Sequence, residues 1–125
     1  MRVLLDTHIY LWWLEDSPLL SSVARKLIEE ATSVHVSSVS LWEAIVKIGL
    51  GRLEADPAEL VEGIQGCGFT PLPMTPEHTL ALPRLANHHK DPFDRMLLCQ
   101  ALTEPLRLVT ADGMLQAYSE LVITV

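Results

Sequence analysis

Two rhythms of apolar residues alternate along the chain. Short, nearly unbroken runs such as Val3-Leu4-Leu5 and Leu108-Val109 suit strands buried on both faces, as in the middle of a parallel sheet. Between them, apolar positions return every three or four residues, the spacing of a helix with one face on a core. The first strand runs from Arg2 to Asp6 and a short helix follows from His8 to Leu14. Ser21 caps a helix through Ala31, with Val23, Ala24, Leu27 and Ile28 on its apolar stripe. A second strand covers Val34 to Ser37, and Ser38 caps a helix from Val39 to Ile48 that Gly49 and Gly51 end. Asp56-Pro57, Thr75-Pro76 and Asp91-Pro92 each pair a capping side chain with a proline in the first turn, and so mark three further helix starts. These helices reach about Gln65, are bounded by Pro83, and reach Leu102, respectively. Phe69 to Leu72, Arg107 to Thr110 and Leu121 to Val125 complete the strands, with a short helix from Met114 to Tyr118. Strands separated by helices imply parallel pairing, so the expected fold is a three-layer α/β/α sandwich around a central parallel sheet. No repeat or linker divides residues 1–125, which read as a single domain.

Composition narrows the class. At 125 residues and 49% apolar content, the chain can bury a core without disulfide or metal staples. Cys67 and Cys99 stand far apart in no metal-binding spacing, which fits a reducing, cytoplasmic setting. The longest apolar stretch, Val3 to Leu14, is broken by Asp6 and His8, so neither a leader nor a membrane span is expected. Nine basic against sixteen acidic residues give a formal charge of −7, which excludes a mainly electrostatic nucleic-acid binder.

In open parallel sheets, ligands bind beyond the carboxyl ends of the strands. Four acids occupy such places: Asp6 after the first strand, Glu43 in the helix after the second, Asp94 in the first turn of a late helix, and Asp112 after Thr110. Carboxylates gathered in one small site repel one another unless a cation collects them. Oxygen donors in this number suit Mg²⁺ or Mn²⁺, and such an ion activates water against a phosphodiester.

Each acid also has a plainer reading. Asp6 and Asp91 are natural helix caps, and Asp94 suits the helix dipole at the third helical position. Asp94 nevertheless shares a face with Leu97, Leu98 and Ala101, the stripe that meets the sheet. Glu43 and Lys47 are one turn apart on a helix apolar almost all round, where they can be its one solvated stripe, held as an ion pair. Asp112-Gly113 is an ordinary turn pair.

Taken together, Leu4-Leu-Asp-Thr-His8 with Trp12, Ser37-Ser-Val-Ser-Leu-Trp-Glu43 with Lys47, Gly51-Arg-Leu53, His89-Lys-Asp-Pro-Phe-Asp-Arg95 with Gln100-Ala101, and Val109-Thr-Ala-Asp112 resemble the PIN-domain ribonucleases, specifically VapC-type toxins. The resemblance implies an endoribonuclease dependent on Mg²⁺ or Mn²⁺, acting on structured RNA such as transfer or ribosomal RNA, usually dimeric and controlled by a cognate antitoxin. Asp6, Glu43 and Asp94 match the three main acidic positions and Asp112 the fourth, which varies within the family.

On that basis Asp6, Asp94 and Asp112 hold one or two cations, and Glu43 holds a second ion or orients the attacking water. Thr7, Ser38 and Thr110 stand beside these acids as orienting hydroxyls, with capping or turn bonding as their plainer role. Lys47, Lys90 and Arg95 are candidates for phosphate contacts, against which stands simple pairing with nearby acids. Setting the four acids aside reduces the formal charge from −7 to −3, compatible with an RNA substrate. Trp12 and Trp13 point in different directions, one toward the core and one exposed as a partner surface in the region of Leu11 and Leu14. His88 and His89 are expected in a polar loop.

Three rival readings remain. A haloacid-dehalogenase-like phosphatase needs an aspartate where His8 stands, and a response-regulator receiver needs a phosphoacceptor aspartate that Val34 to Ser37 do not provide. The third is a PIN-like interaction module without turnover.

Overall fold

The computed structural model describes residues 1–87 and 90–125. Among these residues five strands form one sheet: β1 (Arg2–Leu5), β2 (Ser33–Ser37), β3 (Thr70–Leu72), β4 (Arg107–Thr110) and β5 (Val122–Thr124). Their spatial order is β3-β2-β1-β4-β5 and every pairing is parallel. Among the described residues six α-helices accompany them: α1 (Thr7–Glu15), α2 (Ser22–Glu30), α3 (Ser38–Gly49), α4 (Pro57–Gly66), α5 (Pro76–Leu80) and α6 (Pro92–Thr103). The segment expected as a helix at Met114 is a 3-10 turn spanning Gly113–Tyr118.

Apolar residues of β1 divide between the two faces of the sheet, which is why the run shows no polar alternation. Val3 and Leu5 join Val34, Val36 and Val109 under Ile9 and Tyr10 of α1, Ala24 and Ile28 of α2, and Ile64 of α4. Leu4 points the other way, to Leu108, Val122 and the α6 residues Leu97, Leu98 and Cys99. The expected three-layer sandwich is therefore present. The prolines at Pro57, Pro76 and Pro92 each occupy the first turn of a helix, where a missing N–H costs nothing.

The cap of α3 differs from expectation by one residue. Ser37, at the end of β2, accepts from the Val39 N–H at 2.9 Å and is the cap; Ser38 is the first helical residue and is exposed. The strand ends at Ser37 as expected, but the helix begins one residue earlier, at Ser38, so Ser37 is the residue with the extended backbone a cap needs.

From β1 the chain moves outward through β2 to β3, then returns to the opposite side of β1 for β4 and β5. The strand order thus reverses between β1 and β4, and a crevice at their carboxyl ends is the expected consequence.

Candidate active site at the strand-order reversal

Asp6 stands at that reversal. Its backbone N–H still pairs with the Val109 carbonyl at 3.0 Å, so the end of β1 is held in register with β4. One carboxylate oxygen accepts from the Ile9 N–H at 2.9 Å and caps α1, and the other accepts from the Thr110 hydroxyl. The capping role and the strand-end location therefore coexist. With its side chain almost wholly buried, desolvation pushes the Asp6 carboxyl up to about 6; the hydrogen bonds from Thr110 and Ile9 and the neighbouring His8 oppose the rise, and Asp94 adds to it.

Thr110 ties this acid to another. Its hydroxyl oxygen accepts from the Asp112 N–H at 3.0 Å while its proton goes to Asp6. Asp112 in turn caps the 3-10 turn by accepting from the Met114 N–H at 3.0 Å. Asp94 reaches the same place from α6, whose start is set by Asp91 accepting from the Phe93 and Asp94 N–H groups at 2.9 and 3.1 Å. Asp91 is thus a cap, as its plainer reading holds. Asp6, Asp94 and Asp112 line one cleft of about 320 Å³ together with His8, Trp12 and Ala111.

Glu43 is placed differently from the other acids. It is 3% exposed, and its two oxygens accept from the Thr7 hydroxyl at 2.6 Å and the Lys47 ammonium at 2.7 Å. The ion pair with Lys47 exists, but not on a solvated stripe: the exposed side of α3 carries Trp42, Ile45 and Val46 instead. Thr7 follows Asp6 directly and is itself buried, so Glu43 connects to the Asp6 turn through one hydroxyl. Among the described residues, Glu43 is not part of the wall of the cleft, and no three His, Cys, Asp or Glu side chains stand close enough to form a ready cage for a metal. Most of these acids instead satisfy local donors: Asp6 and Asp112 on backbone N–H groups, Glu43 on Thr7 and Lys47.

Several expected contacts take another form. Ser38 is turned to solvent, and Ser37 is the buried hydroxyl, donating to Gln100 Oε1 at 2.5 Å. Arg95 donates to the Ala86 carbonyl at 3.0 Å and approaches the Tyr118 hydroxyl at 3.5 Å, so its guanidinium ties the loop before α6 to the 3-10 turn. Lys90 is exposed. Neither tryptophan of α1 is exposed: both are half-buried, with Trp13 against Phe69 at 5.7 Å between ring centroids and Trp12 beside His8 at 6.0 Å. His88 and His89 lie outside the described residues.

Sequence reasoning also missed a buried polar chain that joins α5 and α6 to the end of β2. His78 Nδ1 accepts from the Thr75 N–H at 2.9 Å, its Nε2 lies 2.6 Å from Glu104 Oε2, and Gln100 links it to Ser37. Because a backbone N–H can only donate, Nδ1 carries no proton here and the ring is the Nε2–H tautomer. The one available signal was His78 at the third position of a Thr75-Pro76 helix start, where side chains reach back to the cap.

Residues 3–121 match the PIN domain family. The chain belongs to that family. It is 31% identical over 122 residues to Ribonuclease VapC22 of Mycobacterium tuberculosis, covering 93% of this chain and 91% of the relative, which groups it with the VapC branch. Among solved structures it resembles VapBC2 from Rickettsia felis bound to a DNA fragment from its promoter, with a TM-score of 0.70, 15% identity and coverage of 100% of this chain and 98% of that one. A toxin-antitoxin complex from Klebsiella pneumoniae is similar at a TM-score of 0.67 and 17% identity, over 98% of this chain and 96% of the other. At such low identity these structures establish the shared PIN fold, and the five-stranded parallel sheet flanked by helices is the form it takes here. Among the described residues, no helix is long and apolar enough to cross a membrane.

Proposed function

We propose that this PIN domain is a VapC-type toxin: a cytoplasmic endoribonuclease that hydrolyses RNA phosphodiester bonds with Mg²⁺ or Mn²⁺, works as a homodimer and is inhibited by a cognate antitoxin. The observation that carries the reading is the meeting of Asp6, Asp94 and Asp112 in one cleft at the strand-order reversal. The likeness to Ribonuclease VapC22 and to toxin-antitoxin complexes supports it. Their oxygen-only donor set fits a hard divalent cation.

Asp6, Asp94 and Asp112 would hold the cation, and Glu43 would hold a second one or orient the attacking water. Such a cation, when bound, generates a hydroxide nucleophile at neutral pH and offsets charge on the phosphoryl oxygens. The chain's own part is positioning. Thr110 fixes Asp6 and the backbone of Asp112 with one hydroxyl, while Thr7 and Lys47 fix the two oxygens of Glu43. Asp91 sets the first turn of α6, and with it the direction from which Asp94 enters the cleft.

The test is incubation of the purified chain with total RNA, with Mn²⁺ or with chelator, followed by mapping of the cut ends. Discrete cuts that need the cation, and that vanish in a folded Asp94→Asn variant, are expected. Full activity in that variant, or intact RNA with the native chain and either cation, overturns the reading.

A further inference from the structure

The cleft is lined by two unlike kinds of side chain. Its lining combines the three carboxylates with His8 and Trp12, which stand one helical turn apart on α1 and so share a face. Trp12 is half-buried and packs on the core beneath α1, so its ring is anchored, whereas His8 is exposed. Their rings are 6.0 Å apart and inclined by 52°, so they do not lie flat on one another and each keeps surface toward the cleft. Among the described residues neither ring hydrogen-bonds to the acids, and His8 meets Asp6 through charge alone.

We propose that His8 and Trp12 form a stacking seat for one unpaired nucleobase next to the scissile phosphate. The inference rests on the ribonuclease reading and adds what that reading lacks, a feature that recognises the substrate. A phosphodiester held at the carboxylates puts the neighbouring base within the same cleft. At about 320 Å³ the cleft is on the scale of a small-molecule site, roughly 300 to 1,000 Å³, and holds a nucleotide-sized group. Bases within an A-form duplex are already stacked and their faces are closed to protein rings, so the seat selects loops, bulges or single strands. Stacking tolerates any base, so it also supplies affinity that the acidic charge of the chain withholds. A basic peptide would also meet the indole through its cations, but once a divalent cation occupies the carboxylates that attraction weakens, and a neutral planar base gains most from the rings.

Two measurements test this. With Mn²⁺, an uncleavable single-stranded RNA analogue carrying 2-aminopurine is titrated with the native chain, Trp12→Ala and Trp12→Phe; stacking quenches the probe with the native chain, less with phenylalanine, and not with alanine. With Mn²⁺, Trp12→Ala raises KM for a single-stranded substrate about tenfold with little change in kcat, in keeping with the usual worth of base–aromatic stacking. An abasic nucleotide beside the cut costs the native chain a similar factor, and combining it with Trp12→Ala adds little, because both remove the same contact. A native chain that cuts RNA yet is indifferent to Trp12→Ala, or losses that multiply in the combination, overturns the seat alone. A native chain that cuts no RNA overturns the ribonuclease reading and the seat with it.

Discussion

Thr110 and Asp6, 104 residues apart in sequence, are joined by a buried hydrogen bond in which the hydroxyl donates to the carboxylate. The same oxygen accepts from the backbone of Asp112, so one side chain sets the spacing of two candidate ligands. Thr110→Val keeps the shape and removes both bonds. The expected result is a loss of RNA cleavage of tenfold or more with little change in fold, since bonds to charged groups are worth about 1.5–3 kcal/mol. Thr110→Ser restores most of the activity. Cleavage rates of the three proteins under identical Mn²⁺ provide the check.

The buried Asp6 carboxyl makes the metal-free protein less stable at neutral pH. Its folded value of about 6 lies above its ordinary 3.8, so the proton is bound more tightly in the folded state. The resulting advantage is complete below about 3.8 and is lost as pH rises through about 6. A shift of this size corresponds to roughly 3 kcal/mol at most. Urea denaturation in chelator should show Asp6→Asn more stable than the native chain at pH 7, with the difference vanishing near pH 4. The variant gains stability where it loses activity.

Much of this arrangement was legible in the chain. Val3-Leu4-Leu5 has no alternation because both its faces are covered, and the Asp-Pro and Thr-Pro pairs announce helix starts through local geometry alone. Asp6 and Asp112 were readable for the same reason, as polar residues closing buried strands. What was not legible depends on residues distant in sequence. The plainer reading of Glu43, half of a solvated pair, fails because nothing near it in sequence reveals the Thr7 hydroxyl, 36 positions away. Two adjacent serines offer α3 the same capping side chain, and only the extended backbone of Ser37 decides between them. The link from Ser37 to Gln100 spans 63 positions and leaves no local pattern.

That link predicts a stability effect remote from the cleft. His78→Phe fills a similar volume but leaves the Thr75 N–H and the Glu104 carboxylate without their partner and the Gln100 amide with the Pro73 carbonyl alone. A loss of about 1–3 kcal/mol is expected, the cost of stranding one half-buried donor and weakening the bonds around it. Thermal denaturation of the variant against the native chain measures it.

Gly63 faces the hydroxyl of Tyr10, and an added Cβ would stand 2.9 Å from that oxygen and 3.0 Å from Leu14 Cδ2. Tyr10 cannot retreat freely, because its hydroxyl donates to the Leu60 carbonyl at 2.6 Å. Gly63→Ala should therefore cost about 1–3 kcal/mol through overpacking. Gly66→Ala, with nothing within 4 Å of the added carbon, should be neutral or slightly stabilising. Denaturant midpoints of the two variants separate packing from chain entropy.

Calorimetric titration of Mn²⁺ into the purified chain at neutral pH tests most directly whether Asp6, Asp94 and Asp112 act as one cation site. Saturable binding of one or two ions per chain, abolished or strongly weakened by Asp6→Asn and by Asp94→Asn, is the predicted result. Absence of binding, or binding that neither substitution disturbs, would contradict it.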